Sequence, residues 1–281
     1  MSATDTYVDI FQALPQMAPI TALSVFFLTI ARILPIMTLA PFLGAKNLPM
    51  RVRMMFSVAL VVIFFPQNLL SVTTQIPPDE IFIGLMCKEL LIGICLGLFA
   101  SAPFFIAQMS GSLIDHSRGS SSLQVNDPTT QTQASPIGLV YNYVLIAVFY
   151  SLGGPFIFFN GLADSYMMIP VDKVLGAEFF SLQVPFWKQA FGLGGYMFNL
   201  AIRLAAPALI GVLLTDLFLG IANRLAPQVQ IVFLGMSLKS WVGLALMTVA
   251  WILIIQVMGK EAITWTKAIN SLIQQSKLYI H

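Results

Sequence analysis

Ala205 to Lys239 reads AAPALIGVLLTDLFLGIANRLAPQVQIVFLGMSLK. Two strongly apolar stretches flank a short polar tip, Asn223-Arg224 and Pro227-Gln228-Val229-Gln230. Asp216 sits inside the first stretch and Lys239 inside the second. A charge in the middle of an apolar helix costs about 2.5–3.5 kcal/mol on insertion scales, so it normally faces protein or water. The pattern predicts a helical hairpin built to pack inside an assembly.

The rest of the chain has the same character. Hydrophobic residues make up 58% of the sequence and charged residues 9%, with a mean hydropathy of +0.85. That composition belongs to integral membrane proteins. A spanning helix needs about 20 apolar residues, and apolar runs of that order lie at 18–43, 54–76, 81–109, 137–159, 196–222 and 231–258. The expected fold is an all-α integral membrane protein. About six long, kinked hydrophobic helices are arranged as hairpins in a single membrane domain, 1–281. No basic stretch precedes the first run, where Asp5 and Asp9 stand instead, so no cleavable leader is expected. A net charge of +2 does not suggest a nucleic-acid partner. No polar stretch is long enough to enclose a soluble core.

Catalytic and metal chemistry find little support. Cys87 and Cys95 are eight residues apart in one predicted helix, about 12 Å at helical rise, too far for a disulfide. They read as small packing residues. The two histidines, His116 and His281, have no partner at metal-ligand spacing. There is no HExxH, no GxSxG and no GxxxxGK[ST]. Ser120, Ser121 and Ser122 lie near His116, but serines in a loop more often solvate it than attack a substrate. No enzyme, metal or cofactor is expected.

Basic residues set the expected topology. Lys46, Arg51 and Arg53 follow the first run, Arg118 the third, and Arg224 marks the last tip. The alternate connections hold Asp79 and Glu80, then Asp164, Asp172, Lys173, Glu178 and Lys188. The side with the basic excess is predicted cytoplasmic, which puts both termini in the periplasm. Lys260, Lys267 and Lys277 in the tail run against that assignment. No internal repeat of fixed period is visible.

The runs are not ordinary lipid-facing spans. Arg32 and Pro35 break the first, Lys88 and Glu89 sit in the third, and Arg203 and Pro207 interrupt the fifth. Proline removes a helical hydrogen bond, and such groups need neighbouring protein in lipid. Gly93 and Gly97, with Ala100 continuing the face, permit close helix approach. Each feature alone is more often structural; together they suggest a subunit packed among other membrane subunits.

The stretch Gln108 to Pro136 reads QMSGSLIDHSRGSSSLQVNDPTTQTQASP, a polar loop between two apolar helices. Loops of this length are usually functional or disordered, while the composition also suits a solvated connector. Asp115 and Arg118 are spaced to pair on one helical turn, worth about 1 kcal/mol or less if the pair is wet. Gly111 and Gly119 offer backbone freedom, and Asp127-Pro128 reads as a turn or helix start.

Taken in order, these residues resemble the FliR/SpaR/YscT family (SctT in unified naming) of type III protein-export apparatus subunits. Arg32, Ala40-Pro41-Phe42, Leu48-Pro49, Arg51 and Pro66 follow the family's first hairpin, and Glu89, Gly93 and Gly97 come next. Gly111 to Gly119, followed by Asp127-Pro128, matches its central loop. Pro207, Asp216, Gly220, Asn223-Arg224, Pro227-Gln228, Phe233 and Lys239 form the most specific block. The Asp115-x-x-Arg118-Gly119 form looks more like the injectisome branch than the flagellar one.

The resemblance implies an export-gate subunit of the bacterial inner membrane that passes unfolded protein without chemistry of its own. Residues 1–200 would resemble an SctR subunit and 201–258 an SctS hairpin, with a tail at 259–281. SctR-, SctS-, SctU- and SctV-like subunits would be partners. Gly111, Asp115, Arg118, Gly119, Asp127 and Pro128 would belong to a channel plug. Gly93, Gly97, Pro207, Asp216, Arg224, Pro227, Gln228 and Lys239 would serve subunit packing and the hairpin tip. A competing reading is a secondary transporter for a small solute, with Arg203, Asp216 and Lys239 at a midplane site. Against it stand the missing inverted repeat and the order of the motifs.

Overall fold

The helices begin where proline permits them to. Pro19, Pro136 and Pro185 are first residues of helices and Pro49 immediately precedes one, positions where the missing N–H would have no partner anyway. The computed structural model describes residues 19–44, 48–72, 76, 79–119, 125–126, 133–173, 185–225 and 231–276. The helices are α1 (Pro19–Leu39), α2 (Met50–Ser71), α3 (Glu80–Ser117), α4 (Pro136–Ser151), α5 (Gly154–Met168), α6 (Pro185–Leu225), α7 (Ile231–Val249) and α8 (Trp251–Ser276). Between α1 and α2 a single 3-10 turn, Pro41–Leu43, is closed by Gly44. Gly44 takes φ +79° and donates its N–H to the Pro41 carbonyl at 3.0 Å, a left-handed cap that suits glycine.

Prolines inside the helices do not end them. Pro35, Pro66, Pro103 and Pro207 each lie within an uninterrupted helix, so the expected breaks at Pro35 and Pro207 do not occur. One lost hydrogen bond is tolerated where neighbouring groups re-satisfy the backbone. The chain breaks elsewhere. The run expected at 137–159 is cut at Leu152-Gly153, where Gly153 takes φ +72°. Gly154 then lies against the Phe149 ring, with no room for a Cβ. The run expected at 231–258 bends by 62° between α7 and α8.

Among the described residues, four helical stretches are long and apolar enough to cross a membrane: α1, α2, α3 and Gly195–Leu225 of α6. Counting α4 with α5 and α7 with α8 as broken spans makes six, the number read from the sequence. The protein is a multi-pass, all-α membrane protein. At helical rise the 38 residues of α3 extend about 57 Å, well beyond the roughly 30 Å hydrocarbon core.

Two sequence boundaries need correction. The polar loop does not begin at Gln108, because α3 continues to Ser117. Two of its serines bond back to the helix: Ser112 donates to the Gln108 carbonyl at 3.0 Å and Ser117 to the Leu113 carbonyl at 2.8 Å, so polarity there does not mean loop. The tail assigned to 259–281 is helical as far as Ser276, as the end of α8. Val125 pairs with Ala134 and Asn126 with Gln133 in a two-residue antiparallel ladder.

The chain packs as two compact units. One comprises Met1–Ser101, Pro155–Phe191 and Thr266–His281, the other Ala102–Gly154 and Gly192–Trp265. In the first, α1 supplies the core through Val25, Leu28, Ile33, Ile36 and Met37, all buried. Gly93 of α3 meets the backbone of Arg32, and Gly97 meets Ile36 and Leu39. The close approach that these two glycines allow is thus internal to the chain. In the second unit, Phe104 packs edge-on against Phe149 at 5.5 Å and Tyr141 meets Trp251 at 6.1 Å.

Candidate functional site: a clasp at the central loop and two ion-pair clusters

In the second unit, Gly111 on α3 and Gly138 on α4 bring two backbones together. A Cβ on Gly111 would collide with the amide and Cα of Gly138, and one on Gly138 would lie 2.8 Å from the Gln108 carbonyl. Gly111 has helical φ and no hinge geometry; it is glycine because the helices cross there. Gly119, two residues past the helix end, does take φ +77°.

One turn beyond this crossing Asp115 ties the two helix ends. One carboxylate oxygen accepts from Arg118. The other accepts from the Ser135 hydroxyl and from the Ile137 N–H, the latter at 2.9 Å. The Ser135 oxygen in turn accepts from the Gly138 N–H at 3.0 Å, capping α4. A carboxylate at a helix N-terminus is favoured by the orphan N–H groups and the macrodipole there. Arg118 also donates to Ser240 on α7 at 3.3 Å. Asp115 and Arg118 are buried, with exposures of 4% and 8%. The pair that the sequence allowed as a wet contact is a dry one.

In the first unit a second cluster joins charges that the sequence shows only as separate interruptions. Arg32 and Glu89 form a bidentate pair, Nε to Oε2 at 2.6 Å and Nη2 to Oε1 at 2.9 Å, with both side chains at 0% exposure. Arg32 further donates to Ser165 Oγ at 3.2 Å and the Ile169 carbonyl at 2.8 Å, and its guanidinium lies 4.2 Å from the Tyr166 ring centre. Lys88 Nζ is 2.8 Å from Glu89 Oε1 and donates to the carbonyls of Pro170, Val171 and Lys173 at 2.8, 3.3 and 2.9 Å. Buried charges persist only when paired and hydrogen-bonded, and in this cluster Glu89 faces two cations whose remaining bonds go to Ser165 and to the carbonyls of residues 169–173. The signal available in sequence was the persistence of Arg32, Lys88 and Glu89 inside apolar runs; what was missing was their meeting.

The third pair is Asp216 on α6 with Lys239 on α7, which make a salt bridge across the hairpin. They line an open groove with Leu219, Gly220, Asn223, Gly235 and Met236. Their side chains remain 44% and 26% exposed, so this pair is wetter and weaker than the others. Pro207 lies half-buried within α6, and Arg224 is exposed in its last turn. Asp127, Pro128, Pro227 and Gln228, assigned to the plug and the hairpin tip, lie outside the described residues. Among the described residues no group of three or more His, Cys, Asp or Glu could hold a metal ion.

Comparison with known proteins covers most of the chain. The model of the bacterial export proteins, family 1, matches residues 23–263. The flagellar biosynthetic protein FliR of Bacillus subtilis is 33% identical over 222 residues, 76% of this chain and 81% of that protein. The secretion system apparatus protein SsaT of Salmonella typhimurium is 30% identical over 224 residues, 78% and 82% of the two chains. The Yop proteins translocation protein T of Yersinia pestis is 30% identical over 166 residues, 59% and 62%.

Proposed function

This chain belongs to the FliR/SpaR/YscT family of type III protein-export apparatus components, and on that premise we propose that it helps to form and seal the export channel of the inner membrane. The solute-transporter reading loses its ground, because the family match spans nearly all the motifs on which that reading drew. The chain acts without catalysis of its own and takes its place among SctR-, SctS-, SctU- and SctV-like subunits. Residues 1–200 stand where an SctR-like subunit would, and 201–258 act as an SctS-like hairpin. Relatives named for secretion and for flagellar biosynthesis match at similar identity; the Asp115-x-x-Arg118-Gly119 form favours the injectisome branch.

The observation that carries the sealing role is the Asp115 clasp. A polar segment between two long apolar helices is closed at its base by a buried carboxylate that receives bonds from both sides. A channel for unfolded protein must hold ions back at rest and still yield to substrate. A clasp of a few hydrogen bonds to a carboxylate, each worth about 1.5–3 kcal/mol net, holds at rest and gives way when a chain is driven in.

Asp115→Ala should leave the complex assembled and the cells permeable to small molecules at rest. Arg118→Ala should give a weaker defect, because Asp115 keeps its bonds to Ser135 and Ile137. Wild-type permeability at normal complex level in Asp115→Ala would leave the segment a mere connector.

A further inference from the structure

We infer that Arg118 is a positioning residue that couples the hairpin helix α7 to the clasp, and that Gly243 is glycine to admit it. This deepens the sealing role and rests on it for its consequence in export, though the coupling itself can be measured separately. The guanidinium divides its bonds between two elements, Asp115 on α3 and Ser240 on α7. Its aliphatic stem lies in the notch at Gly243, one turn beyond Ser240. A Cβ built on Gly243 would stand 3.1 Å from Arg118 Cδ, 3.2 Å from Cγ and 3.3 Å from Val212 Cγ2 on α6. Those distances are tighter than ordinary packing, so even a methyl group must displace something. Arg118 is buried, and the long stem fills space as well as carrying charge.

The consequence is directional. Asp115 joins the last turn of α3 to the first turn of α4 without help from the hairpin. Arg118 adds the link to α7. A shift of α7 away from α3 removes the Ser240 bond and empties the notch. Asp115 then loses the fixed orientation of its cationic partner, and both helix ends loosen together. A partner or substrate that moves the hairpin can therefore reach the clasp without touching it.

The test uses the complex as co-purified with its partner subunits, and reads amide hydrogen exchange. Ser240→Ala removes one bond and Gly243→Leu fills the notch; neither replaces Asp115, Ser135 or Arg118. Both should speed exchange in residues 112–119 and 135–141 together. Ser240→Ala should do so about fivefold, the scale of one lost hydrogen bond, and Gly243→Leu by more. Adding Arg118→Ala to Gly243→Leu should make those segments exchange no faster than Arg118→Ala alone, since the same contact is lost once. Exchange that rises only within α7, stays at the wild-type rate in both segments, or adds in the double variant would overturn the coupling. If Gly243→Leu fails to assemble, Ser240→Ala decides alone by the same criterion. Resting permeability is measured on the same variants. Faster exchange without leakage keeps the coupling and sinks the sealing role, whereas leakage without faster exchange does the reverse.

Discussion

At the scale of single residues, Glu89 carries the largest consequence. It stands between two cations, Arg32 and Lys88, and all three are almost wholly buried. Removing one member of such a cluster costs about 3–5 kcal/mol, because the remaining charges stay buried and unpaired. Glu89→Gln keeps the size and one acceptor but loses the charge, so it should fall nearly as far as Glu89→Ala. Melting of the purified complex in detergent is the measurement, and a midpoint for Glu89→Gln close to wild type would show that shape and hydrogen bonding, not charge, hold the cluster. Gly93 and Gly97 permit a finer comparison on the same helix. A Cβ at Gly93 would meet the Arg32 carbonyl and Cα, which are backbone and cannot swing aside. At Gly97 the nearest atom is Leu39 Cδ1 at 3.0 Å, which can rotate away, and Leu39 Cβ and Ile36 Cα at 3.1 and 3.2 Å need give only a few tenths of an ångström. Gly93→Ala should therefore lower the melting midpoint clearly more than Gly97→Ala. Equal losses would mean that both helices simply move apart.

At the scale of elements, the α6–α7 hairpin sets a different problem, because its ion pair is partly wet. Such pairs contribute about 0–1 kcal/mol, so Lys239→Glu should barely change the stability of a folded chain even though two acids then face each other. Its expected effect is on assembly, through a contact with a neighbouring subunit. The charge swap Asp216→Lys with Lys239→Asp separates the two roles. If the pair matters only within the hairpin, the swap restores complex formation; if Lys239 meets a partner, it does not. Co-purification of the SctS- and SctU-like subunits reads the outcome, and wild-type recovery with Lys239→Glu alone removes Lys239 from both roles. These elements also show what can be read in a sequence. Apolar length located the runs, four of them unbroken among the described residues and two of them bent pairs of helices, because span length and hydropathy are local properties and the bends are not. The Asp115–Arg118 pair was legible from its spacing of three residues. The extension of α3 to Ser117 was not, since serine and glycine there look like loop residues until the Ser112 and Ser117 hydroxyls find carbonyls one turn back. Gly111 likewise resembled a hinge, and only the position of Gly138, 27 residues on, identifies it as a contact. The union of Arg32, Lys88 and Glu89 with the backbone of residues 169–173 depends on how distant helices pack, which no local pattern encodes.

At the scale of the whole molecule, the question is what surrounds the chain. Leu213, Leu214, Leu217 and Phe218 on α6, and Trp241 on α7, are largely exposed, which lipid would accept. Arg203 on the same candidate span is exposed as well, and Asp216 remains 44% exposed beside its partner Lys239, which lipid would not accept: a lone charge costs about 2.5–3.5 kcal/mol near the middle of a span. An apolar helix with exposed charges is suited to burial by other protein or to a position outside the hydrocarbon, and the length of α3 and α6 fits the second as well as the first. A 41-residue helix such as α6 reaches about 62 Å, twice the roughly 30 Å hydrocarbon thickness. Both conditions are met if the chain stands within a ring of other helical subunits that rises beyond the bilayer. The chain expressed alone should then aggregate or be degraded, and co-expression with SctR- and SctS-like subunits should yield a stoichiometric complex. Arg203 and Asp216 supply the check on why. With partners present, cysteines placed at these two positions should be protected from a water-soluble thiol reagent and from a lipid-phase one alike. Labelling by the lipid-phase reagent in the assembled complex would put the charges against acyl chains and defeat the explanation, as would a well-behaved monomer that binds neither partner.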